Sequence, residues 1–88
     1  MLFYYVYILE SLLDKKRYIG YTSNLKRRIE EHKNGKSFST KSRLPIKLIY
    51  FEGSLNIDDA KRREIYFKTT RGRRSLVKRL KSYYQLKL

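Results

Sequence analysis

Residues 3–9 read FYYVYIL, seven aromatic or aliphatic side chains in a row. A strand with one face in water alternates apolar and polar residues, and this run does not. Its aromatic and β-branched content marks it as a central strand buried on both faces. At 88 residues with 41% hydrophobic content, the chain suits one sheet with a few helices packed on it, a single domain over residues 1–88. A chain of this length buries roughly 60–65% of the surface its unfolded form exposes, so the core is small.

The rest of the order follows from local signals. Residues 11–16, containing Asp14-Lys15-Lys16, read as a hairpin turn, and residues 17–21 as the returning strand. Ser23 is placed to cap a helix that runs to about residue 33 and is closed by Asn34-Gly35. Residues 35–45 are Ser- and Lys-rich and end in Leu44-Pro45, which disfavours helix. Residues 46–51 form a third strand. Asn56 caps a second helix, with Asp58 and Asp59 at its positive end, which runs to about residue 70 before Gly72 interrupts it. A third helix over about residues 74–84 carries Leu76, Leu80, Tyr83 and Tyr84 on one face. The expected class is α+β: a small three-stranded antiparallel sheet flanked by helices, in the order β-β-α-β-α-α.

Charge narrows the partner. Twenty-two Lys and Arg stand against 8 Asp and Glu, a net +14 that exceeds what solubility needs and points to a polyanion. Nucleic acid is the expected partner, ahead of an anionic membrane surface. The absence of cysteine excludes disulfides and thiolate zinc sites, and a single histidine excludes multi-histidine metal sites. The longest apolar run is too short to span a bilayer, and no signal-peptide pattern precedes it, so a cytoplasmic location is expected. Nothing points to a membrane or to an obligate protein partner. Lys36, Lys41 and Arg43 in the loop, with Arg71, Arg73, Arg74 and Lys78 further on, are candidate phosphate contacts. A solvated helix face is the alternative for individual members of that set.

Three ionisable residues break the apolar pattern. At about 100° per residue, with Leu25 at zero, Ile29 falls near 40°, His32 near 340° and Arg28 near 300°. Arg28 and His32 therefore border the buried stripe, while Arg27 points to solvent. A snorkelling arginine and a satisfied core histidine is the alternative. On the next helix, with Ile57 at zero, Ala60 falls near 300°, Glu64 near 340° and Phe67 near 280°. Desolvating a lone carboxylate costs several kcal/mol, so Glu64 requires a cation, either an arginine such as Arg28 or a divalent metal. In the strands, Tyr7 and Tyr18 share a face if Val6, Ile8 and Ile19 form the core side, and Gly20 beside Tyr18 leaves room for close approach.

Taken in order, these residues resemble the GIY-YIG nuclease superfamily, in particular its small stand-alone bacterial members. Tyr5-Val6-Tyr7 stands at the first triplet and Tyr18-Ile19-Gly20 matches the second. Residues 20–25 (GYTSNL), then Arg28 and His32, follow the family's helix segment; residues 45–50 match its third strand and residues 60–64 (AKRRE) its second helix. The first triplet begins with Tyr5 in place of glycine, Lys41 lies in the loop where many relatives carry a further His or Tyr, and no Asn follows Glu64. The resemblance implies that Glu64 holds one divalent ion, Mg²⁺ or Mn²⁺, on the scissile phosphate. It implies that Arg28 stabilises the developing charge, that His32 assists it or positions the water, and that Tyr7 or Tyr18 helps deprotonate that water. One interior carboxylate disfavours a two-metal mechanism. A tyrosine base needs nearby positive charge to lower its pKa, and Arg28, the metal and the net charge are expected to do so. The expected function is a metal-dependent endonuclease on DNA, directed by structure rather than sequence because no base-reading motif is present. The alternatives are a nucleic-acid-binding module on the same fold without useful turnover, and a basic RNA-binding protein whose Glu64 pairs with Arg28.

Overall fold

The computed structural model describes residues 2–86. Its elements are β1 (Tyr4–Ser11), β2 (Arg17–Thr22), α1 (Leu25–Lys33), a 3₁₀ turn (Lys41–Arg43), β3 (Ile46–Ser54), α2 (Ile57–Phe67), α3 (Thr70–Arg79) and α4 (Lys81–Leu86). The expected α+β class is what forms. The sheet is antiparallel in the order β2-β1-β3, so the all-apolar run occupies its centre. Every residue of β1 from Val6 to Ser11 is buried.

Alternation along β1 divides its side chains between two cores. Val6 and Ile8, joined by Ile19 of β2, pack on Ala60 and Phe67 of α2 and Leu76 of α3. Tyr7 and Leu9 face the other way, onto Ile29 of α1 and Ile46 of β3. Fully burying each such side chain contributes about 1.5–3 kcal/mol, and neither face supplies enough of them to hold the sheet alone. The register against β3 slips between Ile8, opposite Tyr50, and Leu9, opposite Leu48, leaving Ile49 as a bulge.

Four boundaries depart from the local reading. Asn24, not Ser23, caps α1: its side chain accepts the Arg27 N–H at 3.2 Å. Thr22 Oγ1 accepts the Asn24 N–H at 3.1 Å, which carries the turn one residue further before the helix begins. Gly72 does not interrupt a helix; it lies inside α3. The break falls at Thr69, whose Oγ1 accepts the Gly72 N–H at 3.0 Å and whose hydroxyl donates to the Tyr66 carbonyl at 2.6 Å. Gly72 is there for packing, since a Cβ would stand 1.9 Å from the Tyr66 carbonyl oxygen. The third expected helix divides at Leu80 into α3 and α4, and Tyr83 of α4 donates to Glu10 of β1 at 2.7 Å. β3 runs on to Ser54 because Tyr4 and Tyr5 pair with Ser54 and Gly53. Among the described residues, no helix is long and apolar enough to cross a membrane.

Candidate active site

The α1 face of the sheet carries a buried polar cluster. Tyr7 pairs with Gly20 and Leu9 with Tyr18, so Tyr7 and Tyr18 stand as diagonal neighbours on one face, ring centroids 6.3 Å apart. Gly20 makes this possible. A Cβ there would lie 2.5 Å from Tyr7 Oη and 3.1 Å from the Tyr18 ring, so only glycine lets the Tyr7 phenol cross β2.

Above this pair lies α1, seated by Leu25 and Ile29. Arg28 and His32 border that seat, as the helical geometry required: the Arg28 side chain is 35% exposed and its neighbour Arg27 70%. His32 is fully buried. Its ring sits 5.6 Å from Tyr7 and 5.2 Å from Tyr18. Its Nε2 is 3.0 Å from Tyr7 Oη and its Nδ1 2.7 Å from Thr40 Oγ1. Arg28 Nε donates to Tyr7 Oη at 3.3 Å and Nη1 donates to Glu31 at 3.1 Å.

Donor and acceptor chemistry fixes one end of the chain. Arg28 only donates, so Tyr7 Oη accepts from it; with the imidazole proton on Nδ1, Tyr7 donates to His32 Nε2 and Nδ1–H donates to Thr40, and the other tautomer reverses both bonds. Burial, then the nearby Arg28, hold the His32 pKa below its ordinary value and keep the imidazole neutral. Burial also pushes the Tyr7 phenol up to about 12, although Arg28 pulls the other way. Arg28 does pull the Tyr7 pKa down as expected, but with 1% of the residue exposed, desolvation outweighs that pull and the net shift is upward.

Glu64 stands apart from this cluster. It lies on α2, which covers the opposite face, flanked by the buried Ala60 and Phe67 as the wheel required. Its side chain is 19% exposed, and among the described residues its ion pair is with Lys68 Nζ at 3.5 Å, one turn along α2. The Arg28–Glu64 pair considered from sequence does not form, because Arg28 is engaged by Tyr7 and Glu31 on the other side of the sheet. α2 packs over β1 and β2, and β2 is an outer strand, so its edge is where the two faces meet. Among the described residues, no group of three or more His, Asp or Glu is placed to hold a metal. A lone half-buried carboxylate fits a hard ion that keeps most of its water, as Mg²⁺ does, and does not fit an all-protein cage.

The candidate phosphate contacts fall into separate groups. Exposed Lys36 and Lys41 belong to the loop after α1, with Lys41 Nζ 5.2 Å from the Phe38 ring. Arg71, Arg74 and Lys78 line a groove along α3 with Tyr66, on the other face. Arg43 and Arg73 line a different cavity together with Arg17. Sequence reasoning missed Thr40 and Glu31. Thr40 lies in an irregular loop with no periodicity to mark it; the one available signal was that a buried imidazole needs a partner at each nitrogen. Ser37 and Thr40, both buried, fasten that loop beside His32.

Comparison with known proteins gives the family and the fold. A family model described as the GIY-YIG catalytic domain matches residues 3–81. A UPF0213 protein of Clostridium perfringens is 46% identical over 65 residues, covering 73% of this chain and 69% of that protein. One from Pediococcus pentosaceus is 44% identical over 79 residues, covering 89% of this chain and 81% of that protein. Among solved structures, the solution NMR structure of a UPF0213 protein from Bacillus halodurans matches with a TM-score of 0.55 at 35% identity, covering 86% of this chain and 83% of that one.

Proposed function

The chain belongs to the GIY-YIG catalytic-domain family, and on that premise we propose that it is a metal-dependent endonuclease hydrolysing DNA phosphodiester bonds. The observation that carries this reading is the buried chain from Arg28 through Tyr7 and His32 to Thr40. Such a chain moves a proton without creating a free phenolate. With its pKa near 12, Tyr7 is a relay rather than a preformed base. As a water oxygen attacks phosphorus, Tyr7 Oη takes the water proton and passes its own to the neutral His32 Nε2. The bond to the leaving oxygen breaks, and that oxygen takes a proton from solvent. Arg28, whose charge Glu31 only partly offsets, faces the phosphate and stabilises the charge that builds on it. Tyr18, its ring tilted against His32, helps to position the water.

Glu64 would hold one divalent ion, Mg²⁺ or Mn²⁺. That ion would supply charge neutralisation at the phosphate. This reading requires a bound strand to bring its phosphate within reach of Glu64 on the α2 face and of the Tyr7 cluster on the α1 face. A bound ion would take the place of Lys68 at Glu64.

Branched, nicked, duplex and single-stranded DNA, each incubated with Mg²⁺, Mn²⁺ or a chelator, test the proposal. Cleavage of at least one substrate is expected with metal, and none with chelator. Glu64→Ala should abolish cleavage while melting temperature and DNA binding stay unchanged. A second reading, a binding module without turnover, is favoured by the Lys68 ion pair on Glu64. Wild-type protein that binds every substrate and cuts none with either metal decides for it.

A further inference from the structure

At the turn end of β2, away from Gly20, a cavity of about 440 Å³ opens between the β1–β2 turn, the 3₁₀ turn and α3. Five cations line it: Lys15, Lys16 and Arg17 from the hairpin, Arg43 from the 3₁₀ turn and Arg73 from α3. They are brought together by structure. Lys15, with φ at +63°, reverses the chain, and Asp14 accepts the Lys16 N–H at 2.9 Å to hold the turn. The Arg17 guanidinium is braced 5.8 Å from the Tyr84 ring, and Arg43 Nη2 reaches the Arg17 carbonyl at 3.5 Å.

Two of these side chains carry unused donors. Arg17 Nη1 and Arg43 Nε are buried without a hydrogen-bond acceptor among the described residues; Arg43 Nε has only an ion pair with Asp14, at 3.8 Å. Buried guanidinium N–H groups without acceptors are unfavourable, and a tetrahedral anion with several acceptor oxygens removes the defect. Arginine forks suit such an anion, and Ile19, Phe67 and Leu76 form the apolar remainder of the lining.

We propose that this cavity is a phosphate-binding site, separate from the Tyr7 cluster, that takes a backbone phosphate of a nucleic-acid strand. Arg17 lies three residues from Gly20 on β2, roughly 10 Å along the strand direction, and shares the α2 face with Ile19, so a strand that reaches both positions passes over the β2 edge. A phosphate held there fixes the strand's register against the catalytic cluster and reads no sequence. The carrier of the phosphate rests on the nucleic-acid reading above; the site itself does not depend on cleavage.

The test measures fluorescence anisotropy of a short labelled single strand in chelator, so turnover plays no part. Arg17→Gln, Arg73→Ala and the double variant are compared with Lys26→Ala, which removes an exposed cation from α1. Arg73 is exposed, so its variant folds whatever Arg17 contributes to packing. Arg73→Ala should weaken binding about fivefold to tenfold and flatten the slope of log K against log salt by about 0.7, one phosphate contact on a single strand. Lys26→Ala should change binding by less than about twofold. A parallel thermal-shift series with inorganic phosphate separates the carriers. Stabilisation by phosphate that the double variant lacks, with strand binding unchanged, assigns the cavity to the free anion. Cavity variants that match Lys26→Ala in both assays overturn the site, because only diffuse charge then remains.

Discussion

At the scale of single residues, the decisive atom is Tyr7 Oη. It touches Arg28 and His32 at once, and burial keeps it protonated. Replacing Tyr7 with Phe removes the relay, and cleavage should fall at least about tenfold with the fold retained; Tyr18→Phe should do the same. Gel assays on the best substrate, beside circular dichroism, check both. His32 adds a pH signature. Its folded pKa is depressed below the unfolded value near 6.5, so the unfolded chain binds the proton first. The stability tied to neutral His32 is therefore fully present above about pH 6.5 and is lost as pH falls from there through the folded pKa, by at most about 1.4 kcal/mol per pH unit. Urea unfolding of wild type and His32→Asn at pH 7.5 and 5.5 measures it: the wild type should weaken on acidification more than the variant. Arg28, His32 and Glu64 were legible as misfits in apolar stripes because helical geometry is local. Thr40 was not, since nothing near it in the chain shows which loop residue a buried imidazole will meet.

Elements are positioned by two glycines that do different work. At Gly20 an added methyl collides with the end of the Tyr7 side chain, which can move. Gly20→Ala should therefore cost little stability, about 1 kcal/mol, and most of the activity, by displacing Oη from His32. At Gly72 the methyl meets the backbone of α2, which cannot give way. Gly72→Ala should cost about 3 kcal/mol or more by urea denaturation, separating α3 from α2 and loosening the Phe67–Leu76 packing. From sequence, Gly72 read as a helix breaker and Gly20 as a point of close approach. The second reading succeeds because strand alternation places Gly20 beside Tyr18; the first fails because a glycine's intrinsic dislike of helix is weaker than the need for two helices to touch.

For the whole molecule, the net charge of +14 is distributed over both faces of the sheet, with loop cations near His32 and arginine-rich surfaces along α3. Nucleic-acid binding should weaken steeply with salt, losing at least about tenfold between 50 and 200 mM, and should survive removal of divalent metal. Anisotropy titrations in chelator measure both. A charge total is readable from composition, but which cations converge is not: Arg17, Arg43 and Arg73 come from three distant segments and meet only where β2, the 3₁₀ turn and α3 enclose a cavity.

The linear order of residues determined the strand and helix sequence, the two-faced burial of β1 and the face that Tyr7 and Tyr18 share, because repeats of 2 and 3.6 residues are properties of a short stretch of backbone. Tertiary structure alone decided that Tyr7 is held protonated, that Arg28 turns to Glu31 and Glu64 to Lys68, and that Thr40 completes the imidazole. Those outcomes depend on how much water each group loses and which partner replaces it, and both are set by segments that meet only when the sheet is covered on its two sides.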